Sequence, residues 1–375
     1  MIPRARHFVA AALSSALLIV PAFTGIAHAA TSAVASKVYA VPLAKTLADV
    51  KRVADYWKPD RLKQTDLYTP ATPGSGAGST TSSGAAAGPA APAAAAAATA
   101  ATASRRTNAA AAVAPALPRK ATAANTMGKV FFRFGDKEFW CSAAAVAARN
   151  RSVVATAGHC AYDSRSGKPA DYWIFVPNPG PNGGAPDGIY VGASISLHED
   201  WSGKGDYDFD YAFVTVHRGF TWVAKDNTYV MQDVGRLQDN VGGLGLELNK
   251  KPGTYTVTAF GYPAGQQPDG THPFDGKTLL KCLPGTTRYT VAPGRDLQKG
   301  VELTPCDFSP GASGGPWVIA YDSTRRLGSL AGVNSLTWNR DAKGRYDSVS
   351  APYFDTTTGD VYRRAASLST IPNVT

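Results

Sequence analysis

GASGGPW, at Gly311–Trp317, sets one serine among three glycines. Gly311, Gly314 and Gly315 permit backbone conformations closed to other residues and turn successive amides toward one point beside Ser313. That point has the make-up of an oxyanion hole, with the amides of Gly311 and Ser313 as donors to the negative oxygen that develops in acyl transfer. A serine hydroxyl is a poor nucleophile at neutral pH, so it needs a base within hydrogen-bond reach and an acid to orient that base. Both lie upstream. DYAFV at Asp210–Val214 brings a carboxylate to the start of an apolar run, where it is shielded from water. TAGHC at Thr156–Cys160 brings an imidazole to the end of another such run. His159 precedes Asp210 by 51 residues, and Asp210 precedes Ser313 by 103.

G-x-S-x-G also marks the nucleophile elbow of the α/β-hydrolases, where the histidine follows the serine. Here no histidine follows His272, which itself precedes Ser313. The subtilisin order places an aspartate before the histidine, and nothing in this chain resembles that family's serine string. The order His, Asp, Ser remains, with His159 as base, Asp210 as orienting acid and Ser313 as nucleophile. Asp208 and Asp206 share the face of Asp210 if the segment alternates as a strand. Asp210 is preferred because it alone abuts the apolar run. The stretch Asp206–Asp210 lacks the further spaced oxygen ligands that calcium takes, so no metal is expected, and no cofactor. His198, His217 and His272 lack a comparable setting and read as packing or surface histidines.

From about Gly128 onward, short β-branched and aromatic runs are separated by Gly, Pro, Asn and Asp, the texture of an antiparallel all-β domain. Strands are expected at residues 129–134, 152–157, 172–176, 211–216, 254–260, 301–303, 316–321 and 329–334, and one late helix at 361–368. About 240 residues of this texture suffice for two small barrels packed together. Cys141, Cys160, Cys282 and Cys306 form no close C-x-x-C pair, and an even count in an exported chain favours disulfides. Three pairings are open. Sequential pairing is favoured because Cys141–Cys160 then pins the loop of His159, and Cys282–Cys306 pins the approach to Ser313.

The N-terminal third has a different character. Residues 1–29 carry Arg4 and Arg6, an apolar run and a small-x-small ending at Ala27–Ala29, which reads as a secretory signal peptide. Residues 30–69 contain one helix-like stretch, Val50 to Trp57, ended by Pro59. Residues 70–124 are largely Ala, Pro, Gly, Ser and Thr, with no aromatic residue from Pro70 to Pro118, and read as a disordered linker. Residues 125–375 form the remaining domain. The net charge of +10 does not point to a polyanion. Residues 1–125 hold 13 basic against 4 acidic residues, and the rest 25 against 24. No nucleic-acid partner and no stable membrane insertion are expected.

With these strings the chain resembles the chymotrypsin-like serine peptidases, in the secreted bacterial branch that includes the glutamyl endopeptidases. PNPGPNGGAPDGIY at Pro177–Tyr190, GYPAG at Gly261–Gly265 and PFDGKTLLKC at Pro273–Cys282 look like motifs of that branch, and the likeness spans Phe131 to Trp338. The resemblance implies two perpendicular antiparallel β-barrels with the reacting residues in the cleft between them, and peptide-bond hydrolysis through an acyl-enzyme by a secreted, monomeric enzyme. It implies a specificity pocket with Asp307 as its floor, which in trypsin-like members selects Arg or Lys, and with Gly332 to Ser335, including Asn334 and Ser335, as a wall; bacterial relatives carrying this aspartate beside a cysteine need not share that geometry, so cleavage after Glu or an apolar residue stays open. One departure stands out. Digestive members have an aspartate before the serine that pairs with the freed N-terminal amine on activation, whereas this chain has Ala312. Residues 30 to about 120 are expected to include a pro-segment removed near Arg119 and Lys120. Rival functions are a catalytically idle binding protein on the same scaffold and an esterase.

Overall fold

The computed structural model describes residues 37–73, 119–120 and 125–374; the expected signal peptide and most of the expected linker lie outside the described residues. The domain is all-β in two halves. In the first, Tyr190–His198, Ala212–Val216, Val153–Thr156, Lys137–Val146, Met127–Phe134 and Asp171–Pro177 pair antiparallel in that order. Tyr190 and Val191 then pair with Phe175 and Ile174, closing a six-stranded barrel. Side-chain alternation fills it. Val130, Phe132, Cys141, Ala143, Val154, Phe175, Ile195 and Val214 share one core. Their neighbours Phe131, Ala144, Ala155, Ile174 and Phe213 belong to a second core outside the barrel wall. Strands buried on both faces read as continuous apolar runs, as these do.

The second half comprises a sheet containing Thr256–Gly261, Pro316–Asp322 and Leu327–Val333, and another containing Arg288–Ala292, Leu297–Leu303, Leu336–Trp338 and Ser348–Pro352. Val257, Ala259, Val301, Leu303, Phe308, Trp317 and Val349, drawn from both sheets and the loops between, form one core. Together the halves make the two-barrel, all-β fold expected of the sequence. The C-terminal helix runs Thr356–Ser367, starting five residues and ending one residue before the expected 361–368. Asp355 caps it, its carboxylate accepting from Thr357 N and Thr358 N.

Residues 37–73 form no separate domain; they pack onto the first barrel. Val38–Pro42 adds a strand to Tyr190–His198 where that strand outruns Asp171–Pro177. A capping box between Thr46 and Asp49 starts the helix Leu47–Tyr56, which buries Val50, Val53 and Ala54. Trp57 ends it, fully buried, its indole donating to Tyr172 O and its carbonyl accepting from Trp222. His217 is likewise a packing residue. One ring nitrogen donates to Ala44 O while the other accepts from Ile371 N, so burial holds the ring neutral and its pKa below the usual value. Thr69–Pro70 pairs parallel with Phe139–Trp140. Arg119–Lys120 pairs antiparallel with Leu280–Lys281. Among the described residues no helix is long and apolar enough to cross a membrane.

Candidate active site

His159 leaves the end of the strand Val153–Thr156 on a short 3-10 turn, Gly158–Cys160. Gly158 is required there, because a Cβ would meet the Trp201 indole at 2.9 Å. Asp210, fully buried, follows a second 3-10 turn, Tyr207–Phe209, and leads into the strand Ala212–Val216. Its Oδ1 accepts from His159 N at 2.8 Å, and Nδ1 of the ring lies 2.9 Å from Oδ2 and 3.1 Å from Oδ1. A carboxylate can only accept, so Nδ1 donates, and in the neutral tautomer the lone pair lies on Nε2. Nε2 is buried and has no hydrogen-bond partner among the described residues.

The turn also separates the three aspartates, since alternation along a strand does not apply to it. Asp206 accepts from Asp208 N, and Asp208 accepts from Gln298 N and Lys299 N. Neither hydrogen-bonds to His159. Burial raises both, Asp206 to about 6. His198 is a packing residue, stacked on Phe209 at 3.8 Å.

Ser313 belongs to the second half and is brought to His159 by several ties. Ser142 N donates to Ser313 O at 2.8 Å. The neighbouring Cys141 is bonded to Cys160, beside His159. At Gly314, with φ of +77°, a Cβ would collide with Thr156 Oγ1 and Ser142 O, so the serine loop lies directly against the strand that carries the histidine. The second disulfide joins Cys282 to Cys306, next to Asp307. Both pairings are the sequential ones. Ser313 Oγ and His159 Nε2 make no hydrogen bond as they stand; such pairs tighten when substrate binds.

Ser335 and Asn334, expected as pocket wall, have side chains engaged elsewhere. Ser335 Oγ donates to Asp210 Oδ2 at 2.6 Å, giving the carboxylate a partner from the opposite barrel. The Asn334 amide bonds to Phe260 O, Ala312 O and the Trp317 indole. Asp307 is 4% exposed, its Oδ1 has no partner among the described residues, and desolvation pushes its carboxyl up to about 6. A cavity of about 330 Å³ opens beside His159, lined by Tyr162, Arg165 and Tyr207 from the first half and Arg295 and Asp296 from the second. Sequence reading passed over Ser142, although its place directly after Cys141 was a signal.

No family model and no curated protein matches the chain. Solved structures do. The protease Anisep from Arthrobacter nicotinovorans is 30% identical over 67% of this chain and 100% of its own, with a TM-score of 0.54. AL20, a thermostable serine protease from an extremophilic microorganism, is 28% identical over 66% of this chain and 99% of its own, with a TM-score of 0.51. Bacterial serine proteases are thus matched over essentially their whole length, and the chain belongs to the chymotrypsin-like serine peptidases.

Proposed function

We propose that the protein is a secreted serine endopeptidase in which Ser313 is the nucleophile, His159 the general base and Asp210 the residue that orients it. The observation that carries this reading is the state of His159. One ring nitrogen is held by a buried carboxylate, and the other is buried without a hydrogen-bond partner among the described residues. Ser313 Oγ attacks the scissile carbonyl carbon while its proton passes to Nε2. The imidazolium so formed is stabilised by Asp210, and the amides of Gly311 and Ser313 receive the developing oxyanion. Collapse expels the amine, which takes the proton from His159, and leaves an acyl-enzyme. Water then repeats the sequence and releases the acid.

Asp307 selects a basic residue at the position whose carbonyl is attacked. A buried carboxylate oxygen without a donor is costly to maintain unless a ligand supplies one, and an arginine or lysine side chain does so with charge. Mass-spectrometric sequencing of peptides released from a protein digest tests both points. Cleavage after Arg and Lys, abolished by Ser313→Ala, is expected. Hydrolysis that persists in Ser313→Ala would sink the assignment of the nucleophile, and cleavage clustered after Glu or apolar residues would sink that of Asp307.

A further inference from the structure

Each carbonyl from Gly311 to Ser313 accepts a hydrogen bond from outside the loop, and Ala312 O accepts from Gly315 N within it as well, at 3.0 Å. Ser142 Oγ donates to Gly311 O at 2.8 Å, Asn334 Nδ2 to Ala312 O at 2.9 Å and Ser142 N to Ser313 O at 2.8 Å. Ala312 N is engaged as well, donating to Ser309 O at 3.2 Å. Among the described residues, Gly311 N and Ser313 N donate to nothing, and these are the two amides expected to receive the oxyanion.

The two side chains that do this are buried and have no freedom in how they bond. Ser142, 1% exposed, accepts from Tyr262 N at 2.9 Å, so its own proton goes to Gly311 O. Asn334, 2% exposed, must turn Oδ1 to the Trp317 indole, which only donates. Its Nδ2 is thereby left to face Phe260 O and Ala312 O. Gly315 makes room for this, since a Cβ there would meet Asn334 Nδ2 at 2.8 Å and Ala312 O at 2.9 Å. The grip comes from both halves. Ser142 lies on the strand Lys137–Val146 of the first, and Asn334 directly follows Leu327–Val333 of the second.

We infer that Ser142 and Asn334 are positioning residues of the peptidase reaction, fixing the Gly311–Ser313 carbonyls so that the intervening amides stay aimed at the oxyanion. In relatives with an aspartate before the serine, an ion pair with a new N-terminal amine orders this loop; Ala312, buried and uncharged, offers no such pair. Two neutral hydrogen-bonding side chains already present in the fold take its place. The inference rests on the reading of Ser313 as nucleophile.

The test uses the full chain, with Ser142→Ala and, separately, Asn334→Asp, which keeps the size but loses both donors. A peptide substrate gives kcat and KM. A peptide aldehyde, which forms a tetrahedral adduct, is compared as an inhibitor with the matching alcohol, which does not. Each variant is expected to lose about 10- to 100-fold in kcat, somewhat less than deletion of an oxyanion donor itself. KM should stay within about threefold, the mark of an interaction made in the transition state. Aldehyde affinity should fall in step with kcat while alcohol affinity holds, and Ser142→Thr, which restores the hydroxyl, should recover most of the loss. A lowered melting temperature with unchanged kcat per phosphonate-labelled site would overturn the inference. If Asn334→Asp fails to fold, Ser142→Ala alone decides. A wild-type chain that hydrolyses nothing fails before any variant is made, and that result overturns the functional reading and this inference together.

Discussion

Asp210 accepts from two groups of the histidine turn and from Ser335 across the cleft, and the last contact is the most exposed to test. A hydrogen bond to a buried charge typically contributes about 1.5–3 kcal/mol, so Ser335→Ala should lower kcat roughly 10- to 100-fold, with little change in KM. Steady-state kinetics showing kcat unchanged would mean that Asp210 orients His159 without help from the second barrel. Asp307 supplies a second expectation at this scale. Its carboxyl is held up to about 6 by desolvation, so it is ionised above that pH and neutral below it. The ratio of kcat/KM for an arginyl substrate to that for a neutral one should therefore fall as pH drops through about 6. A flat ratio from pH 5 to 8 would remove Asp307 from recognition. The pairing of His159 with Asp210, and the approach of the Ser313 loop to the strand before His159, were foreshadowed in the sequence because the residue types and the apolar runs beside them are local signals. The engagements of Ser335 and Asn334 were not, because they depend on contacts between segments 17 to 125 residues apart.

Among the elements, the Cys141–Cys160 disulfide ties the strand bearing Ser142 to the turn bearing His159. Closing a loop of this length stabilises by about 3 kcal/mol in the chain-entropy model, and Cys141→Ala with Cys160→Ala should cost about that much in reversible denaturation. Phosphonate labelling of Ser313 should slow as well, since both flanking residues lose an anchor. A stability loss with an unchanged labelling rate would show the disulfide to be structural only. The expected strands were all found, within a residue or a few at their ends. Lys137–Val146 went unseen, because its run of alanines has weak strand propensity and takes its form from the neighbours on either side. The hairpin of Gly219–Lys225 with Thr228–Gly235 was also missed, although Asp226 and Asn227, both at positive φ, mark its turn.

Across the whole molecule, the unexpected feature is how deeply residues 37–73 are embedded. The sequence suggested one short helix, and its docking could not be read because the receiving surface is assembled from strands far along the chain. Trp57 is the anchor, and Trp57→Ala should cost about 3–5 kcal/mol of stability. The cut expected near Arg119 and Lys120 would sever the chain without undoing that packing. After cleavage, the N-terminal fragment should co-elute with the peptidase domain on a native sizing column and separate in denaturant. Free fragment under native conditions would show that the segment is expelled on maturation.

The central claim is that Ser313 is an activated nucleophile, and reaction of the intact protein with a fluorophosphonate tests it most directly. Mass spectrometry should find one adduct, mapped to Ser313, absent from Ser313→Ala and strongly slowed in His159→Ala. A wild-type chain that forms no adduct, or forms it at another residue, would contradict the account.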